Sequence, residues 1–196
     1  MAEYSTSYVA TGCSYTNNGS WANSKIKNPV YVGTNSGGTY KYIAQFIFPA
    51  ISTGNVKSMY LYVYRNSSSA SGSRTEYFGC SSDLSDYGSV LSTGYLVTLT
   101  GGEGWKTLDV SALKDTAPPF SGEWALLLGN PNTSGTYCVV DGYGSGNAPY
   151  LIVTYDNGSK VIIGGKECDV YRASDYGVLV QCDLFYAKDA STIVKI

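Results

Sequence analysis

The stretch VKSMYLYVYR, residues 56–65, alternates aliphatic side chains with tyrosines. Because successive side chains of a β-strand point to opposite faces of the sheet, this period of two predicts a half-buried strand. Its core side should carry the aliphatic residues Met59, Leu61 and Val63. Its opposite side should carry a stripe of three tyrosines, Tyr60, Tyr62 and Tyr64.

Similar short segments follow one another along the chain, each bounded by Gly, Ser, Asn or Asp. They span residues 40–48, 95–100, 105–110, 123–128 and 149–155. In residues 40–48 both faces are apolar, which predicts a central strand that is covered on both sides. Many short strands separated by turn residues are typical of a sandwich. The sequence therefore predicts an all-β protein, an antiparallel β-sandwich of jelly-roll type with about 8 to 10 strands.

The overall composition argues against several kinds of partner. The chain has 13 basic and 15 acidic residues, without a basic stripe that could follow a phosphate backbone, so nucleic acid is not an expected partner. No run approaches the roughly 20 apolar residues of a membrane helix. Residues 1–30 also lack the pattern of a signal peptide, so neither membrane insertion nor export is expected.

The charge pattern changes near residue 156. Residues 1–155 hold 8 basic and 9 acidic residues, whereas the much shorter stretch 156–196 holds 5 and 6. The turn-forming sequence DNGS, residues 156–159, lies at this change, so we predict a sandwich domain of residues 1–156 and a small β-strand appendage of residues 157–196. About 40 residues are near the lower limit for an independent core.

The appendage is therefore expected to dock on another subunit of a homo-oligomer or on a scaffold protein. The apolar residues expected at that contact are Val178, Val180 and Leu184, or their alternate-face partners on the same strand. The chain has five cysteines, an odd number without a C-x-x-C pair, which favours free thiols over a disulfide framework or a zinc site. Cys168 and Cys182 lie on strands that are predicted neighbours, and their pairing stays open.

The chain contains no histidine, which excludes Ser-His-Asp and Cys-His catalytic sites. Glycosidase chemistry would need two carboxyl groups in one cleft. The candidates Asp109, Glu123 and Asp141 each lack an acidic partner two residues away, and Asp109 is expected to cap a turn instead. Residues 141–144 could supply a few calcium ligands, but a glycine turn is favoured. We expect a non-enzymatic protein without a metal or cofactor.

The 19 tyrosines are the strongest indication of a binding surface. Aromatic rings with a polar edge suit both stacking on sugars and protein interfaces. For the stripe of Tyr60, Tyr62 and Tyr64, three interpretations stay open: a covering layer within the chain, a subunit contact, or a glycan platform. Three further aromatic residues lie in loop-like sequence and are expected to be exposed: Trp21, Tyr87 and Tyr143.

Four segments, in order, resemble the DNRLRE family of β-sandwich modules, which are related to carbohydrate-binding jelly rolls. The matching stretches are AQFIF (44–48), VKSMYLYV (56–63), WKTLDV (105–110) and PYLIVTY (149–155). Gln45 stands where the family usually carries arginine, and the family's Trp-rich middle segment is missing. The resemblance implies a sandwich that binds glycans.

The run GVLVQCDLFYAKD, residues 177–189, followed by IVKI at 193–196, is similar to the closing segments of phage and prophage structural proteins of Gram-positive bacteria. This resemblance implies a bacteriophage virion component, a capsid decoration, head-fibre or tail-fibre protein made in the bacterial cytoplasm. Its partners would be other virion proteins and host or environmental glycans. The alternative is a carbohydrate-binding module of a bacterial surface or secreted protein.

Overall fold

The structure, a computed structural model, describes most of the sandwich region and four short strands beyond it. The described residues are 3–18, 20–21, 29–34, 41–51, 56–66, 72–86, 91, 94–115, 122–130, 137–156, 161–163, 166–168, 185–189 and 192–195. Within these ranges no helix is long and apolar enough to cross a membrane.

Within the described residues, thirteen strands make up the main body of the fold. They are β1 (Glu3–Val9), β2 (Gly12–Asn17), β3 (Ser20–Trp21), β4 (Val30–Thr34), β5 (Lys41–Tyr42), β6 (Ala44–Phe48), β7 (Val56–Arg65), β8 (Arg74–Ser81), β9 (Leu96–Leu99), β10 (Gly104–Asp109), β11 (Trp124–Gly129), β12 (Cys138–Val140) and β13 (Tyr150–Asp156). A short 3₁₀ turn, Ser111–Asp115, follows β10.

These strands form two sheets in which neighbouring strands run antiparallel. Sheet A has the order β1-β13-β7-β12-β4-β5, and β10 also pairs with β7. Sheet B has the order β3-β2-β6-β11-β8-β9. From β4 to β12 the chain passes repeatedly from one sheet to the other, as in a jelly roll. The predicted antiparallel β-sandwich is confirmed.

The main core lies between the sheets and follows the alternation of β7. Met59, Leu61 and Val63 are fully buried there, as their parity predicts. The tyrosines of the opposite parity are half-buried on the outer face of sheet A. Because β7 is flanked by β10 on one side and by β13 on the other, it is a central strand.

Strand β6, residues 44–48, is buried on both faces, which confirms the expected central, covered strand for this part of 40–48. Residues 41–42 instead form the separate edge strand β5 of sheet A. One face of β6 contributes to the main core.

On the outer face of sheet B, a smaller apolar cluster forms around Ile43 and the β11 residues Ala125 and Leu127. Leu84 and Leu91, from the connection between β8 and β9, pack into that cluster. The Gln45 side chain donates a hydrogen bond to the Leu84 carbonyl at 2.9 Å. The central part of the outer face of sheet B is therefore covered by the chain itself, whereas Leu96 on β9 remains exposed.

Four more strands follow the sandwich and form two antiparallel hairpins. They are β14 (Val161–Ile163), β15 (Lys166–Cys168), β16 (Phe185–Asp189) and β17 (Thr192–Lys195). The β-strand character expected after residue 156 is thus present. Of the two cysteines whose pairing was left open, Cys168 lies on β15 and Cys182 is outside the described residues. The domain boundary itself stays a prediction, and so does the pairing of these two cysteines.

Candidate functional site

The outer face of sheet A carries a compact group of aromatic side chains, called here the aromatic face: Tyr62, Tyr64, Trp105 and Tyr150. Strand pairing assembles it, because Trp105 lies opposite Tyr64 on β10 and Tyr150 lies opposite Tyr62 on β13. Directly opposed residues of an antiparallel pair point to the same side of the sheet. Three strands therefore contribute to one surface.

The rings of the aromatic face contact one another in a continuous row. Tyr62 and Tyr150 stack with their centroids 4.7 Å apart and an interplanar angle of 5°. Trp105 meets both Tyr150 and Tyr64 edge to face, at 5.3 Å and 5.6 Å. Such contacts fix the orientation of each ring. Trp105 nevertheless remains 44% exposed, so part of its indole is available to a partner.

Polar groups surround the Tyr64 end of the aromatic face. The Tyr64 hydroxyl donates to Glu103 Oε1 at 3.1 Å, and this hydrogen bond raises the pKa of Tyr64. The backbone amide of Asp141 donates to the Tyr64 carbonyl at 2.9 Å, which places β12's continuation beside β7. The Asp141 carboxylate accepts hydrogen bonds from the Asn66 amide at 3.4 Å and the Asn147 amide at 3.0 Å.

The loop that follows Asp141 is held by its own hydrogen bonds. The Ser145 hydroxyl donates to the Gly142 carbonyl at 2.8 Å and accepts the backbone amide of Asn147 at 3.1 Å. These bonds position Asn147 toward Asp141 and give the loop a defined shape. The site thus combines an exposed indole with a fixed set of amide, carboxylate and hydroxyl groups.

The residues predicted for the binding site lie in different places. Tyr62 and Tyr64 belong to the aromatic face, and Tyr60 continues the same stripe between Asp109 and Ile152. Trp21 is on β3 rather than in a loop. Tyr143 is half-buried and packs against the main core. Four other candidates lie outside the described residues: Tyr87, Val178, Val180 and Leu184.

Two members of the aromatic face, Trp105 and Tyr150, were not among the predicted site residues. A signal for Trp105 exists, because in the stretch 105–110 it has the parity opposite to the buried Leu108 and so had to point outward. The register that places Trp105 and Tyr150 beside the stripe depends on which strands become neighbours, and local sequence does not determine this.

A second group of tyrosines serves a structural purpose at a corner of the sandwich. Strands β5 and β6 are one extended segment that passes from sheet A to sheet B at Ile43. Half-buried rings from both sheets meet beside this bend, with centroid distances between 4.9 and 5.8 Å: Tyr15, Tyr31, Tyr42 and Tyr137. Their edge contacts close the corner, so only part of the tyrosine content belongs to the aromatic face.

The three carboxylates considered for catalysis each have a structural partner. Asp109 Oδ1 accepts the backbone amide of Ser111 at 3.0 Å, which confirms the expected turn cap. Glu123 Oε1 accepts the Thr11 hydroxyl at 3.3 Å, and Asp141 is held by two side-chain amides. In the described part of the chain, no three Cys, Asp or Glu side chains cluster as metal ligands.

The interior also holds charged residues that no sequence pattern predicted to be paired there. Arg65 is fully buried, and its guanidinium donates to the carbonyls of Thr100 at 2.7 Å and Gly72 at 2.9 Å. Arg74 Nε donates to Oε1 of the fully buried Glu76 at 2.6 Å. Burial raises the pKa of Glu76, whereas the hydrogen bond and charge of Arg74 lower it. These groups are structural, since they are enclosed between the sheets.

Two of the free thiols are expected to be unreactive near neutral pH. Burial raises the pKa of Cys13 and of Cys138 to about 12. Neither thiol forms an appreciable amount of thiolate near neutral pH, so neither is an effective nucleophile.

Comparison with known proteins gave a structural match and no sequence match. No protein-family model matches the chain, and no curated protein matches it either. Among solved structures it is similar to the exo-β-1,3-galactanase of Phanerochaete chrysosporium with galactose, at 12% identity and a TM-score of 0.33. The match covers 78% of this chain but only 29% of the galactanase chain. A likeness this distant carries no argument about function.

Proposed function

We propose that this protein is a non-catalytic carbohydrate-binding sandwich and that the aromatic face is its ligand surface. The exposed indole of Trp105, fixed by Tyr64 and Tyr150 beside a row of polar groups, carries the proposal. Sugars present both an apolar ring face and many hydroxyls, so they need a flat aromatic surface and hydrogen-bonding partners together.

The electrostatics of this surface favour a neutral glycan. Among the described residues, the Glu103 carboxylate accepts the hydrogen bond of the Tyr64 hydroxyl, and the nearby Asp141 carboxylate is only 9% exposed and is held by Asn66 and Asn147. Carboxylates repel an anionic polymer and accept hydrogen bonds from sugar hydroxyls. Amide donors and acceptors come from Asn66 and Asn147. We therefore expect a neutral or weakly charged glycan whose binding changes little with salt.

Binding to a glycan panel, followed by calorimetry on each positive ligand, tests the proposal. Trp105→Ala removes the exposed stacking surface and should weaken binding about tenfold, which corresponds to about 1.4 kcal/mol. Leu96→Ala is a matched control, because Leu96 is a 51% exposed apolar residue on sheet B. Its binding should equal that of the wild type. Equal loss in both variants, or no loss in either, would show that the aromatic face is not the ligand surface.

Calorimetry at two ionic strengths tests the ligand class separately. An affinity that falls steeply with salt would indicate an anionic polymer instead of a neutral glycan. A reducing-sugar assay on every bound polysaccharide tests the non-enzymatic assignment, since new reducing ends would reveal hydrolysis. If no glycan binds at all, two interpretations of the aromatic face remain: a covering layer within the chain and a contact with another protein.

The setting in which the sandwich is displayed is a separate proposal. The resemblance of residues 177–196 to phage structural proteins supports a capsid decoration or fibre component assembled with other virion proteins. Immunogold electron microscopy of purified particles tests it directly, because the label should decorate intact virions. Label confined to the surface of bacterial cells would favour the alternative, a carbohydrate-binding module of a bacterial surface or secreted protein.

A further inference from the structure

Strand β1 forms one edge of sheet A, with β13 as its neighbour in the sheet. It is seven residues long, and most of it is exposed, including Tyr4 at 46% and Val9 at 56%. An edge strand presents a row of backbone amides and carbonyls that can pair with another strand. Proteins usually protect such an edge with proline, lysine, a bulge or a very short strand.

Strand β1 carries none of the usual sequence protection. Its sequence EYSTSYV contains neither proline nor lysine. Its register with β13 is continuous over all seven residues, from Glu3 opposite Asp156 to Val9 opposite Tyr150. Its single charged residue, Glu3, is at one end and forms an ion pair with Lys57. The edge is therefore regular and almost uncharged.

The hydrogen-bonding pattern shows which amides face outward. The Ala10 amide donates to the Pro149 carbonyl at 2.9 Å, so the neighbouring pair Val9–Tyr150 is a non-hydrogen-bonded pair. Because the two kinds of pair alternate, Tyr4, Thr6 and Tyr8 bond to β13. The remaining residues of the strand direct their amides and carbonyls to the open edge, namely Glu3, Ser5, Ser7 and Val9.

We propose that β1 pairs with β1 of a second copy of this chain, antiparallel and about a two-fold axis at Thr6. In this register Ser5 faces Ser7 of the partner subunit, and Glu3 faces Val9 of the partner subunit. The outward amides and carbonyls of all four residues then bond to the partner strand, and the two copies of β1 share about eight main-chain hydrogen bonds. No like charges oppose each other, and Tyr4 lies across from Tyr8 of the partner subunit, an aromatic pair that stabilises a sheet.

The pairing joins the two copies of sheet A into one continuous sheet. A two-fold axis between antiparallel strands is perpendicular to the sheet, so both aromatic faces lie on the same side. Five strand spacings separate the two copies of β7, which places the faces about 24 Å apart. A polymeric ligand could then engage both faces at once. The dimer does not depend on carbohydrate binding and is tested without a ligand.

Sedimentation equilibrium of the full chain, over a range of concentrations, tests the dimer. Ser7→Pro removes an outward amide and no bond to β13, so the sandwich should keep its circular dichroism spectrum and thermal midpoint while becoming monomeric. Ser7→Ala is the matched control and should dimerise like the wild type. A monomeric wild type would overturn the proposal, as would a Ser7→Pro variant that still dimerises.

Cross-linking gives a second test that introduces no proline. In the proposed register Thr6 faces Thr6 of the partner subunit as a non-hydrogen-bonded pair, with Cα atoms about 4.5 Å apart, within the range of a disulfide. Thr6→Cys should therefore form a covalent dimer under mild oxidation. Ser7→Cys, whose counterpart is not itself, should show only the wild-type background. Equal cross-linking of both variants would exclude this register and overturn the proposal.

Discussion

Replacing Arg74 by methionine tests how far the sandwich depends on the ion pair in its interior. Glu76 is fully enclosed, the Arg74 side chain is 10% exposed, and their atoms Nε and Oε1 are 2.6 Å apart. Methionine keeps much of the apolar stem but removes the charge, which leaves the carboxylate in the interior without this partner. Breaking such a pair costs about 3 to 5 kcal/mol. With a urea slope of about 2 kcal/mol per M, the unfolding midpoint should fall by about 2 M.

This cost should depend on pH because Glu76 can take up a proton. Burial raises the pKa of Glu76 above its ordinary value of 4.5, and Arg74 opposes that rise. Without Arg74 the pKa rises further. A carboxyl whose pKa is higher in the folded state contributes stability that is present below its unfolded pKa and is lost as the pH rises through the folded pKa. The loss caused by Arg74→Met should therefore be largest at neutral pH and smaller at about pH 4.

Urea unfolding followed by tryptophan fluorescence, to which the buried Trp124 contributes, measures the loss of stability at both pH values. The matched control is Lys57→Met, which breaks an ion pair whose side chains are 51% and 44% exposed and should leave the midpoint almost unchanged. Adding Glu76→Met to Arg74→Met removes the isolated charge and should recover most of the stability. A loss that is independent of pH, or as small as that of the control, would refute the reasoning.

Three further predictions concern the core, a backbone position and the C-terminal segment. Leu61→Ala should cost about 2 to 5 kcal/mol in urea unfolding, because Leu61 is fully buried between the sheets. Gly33→Ala should lower the thermal midpoint more than Gly102→Ala: both glycines have positive φ, but only at Gly33 would the new Cβ lie 2.7 Å from the guanidinium of Arg74. Deletion of residues 157–196 should leave a folded sandwich by circular dichroism that keeps the dimer formed through β1 but no longer binds the further subunit or scaffold; unchanged binding to that partner would contradict the docking role.

The strands that sequence predicted are those with a strong apolar alternation. Residues 56–65 were predicted with the bounds that β7 has, and 149–155 differs from β13 by one residue at each end. In contrast, the short strands β2, β4 and β12 were missed. Strands β1 and β8 were missed as well, because their alternation involves Ser, Thr, Arg and Glu rather than aliphatic residues. Their extended conformation is stabilised by pairing with β13 and β11, which are distant in sequence.

The candidate site was predicted only in part, for a related reason. Tyr62 and Tyr64 were recognised because they share a parity on one strand. Trp105 and Tyr150 become their neighbours only through the register of β10 and β13. The polar groups beside Tyr64 come together because a loop returns to β7 at Asp141. Which segments lie side by side depends on how the strands pair in the sheet, and the sequence of a single segment does not determine that pairing.

Local sequence by itself determined the all-β class, the core side of the central strands and the exclusion of histidine chemistry, because strand periodicity and composition are properties of neighbouring residues. Only the tertiary structure decided whether the outer face of each sheet is covered or exposed. Leu84 and Leu91 pack on the outer face of sheet B. On the outer face of sheet A, three strands contribute the side chains of the aromatic face. The tertiary structure also decided that Glu76 is buried against Arg74, since the fate of a charged side chain depends on the partners that folding brings within hydrogen-bonding distance.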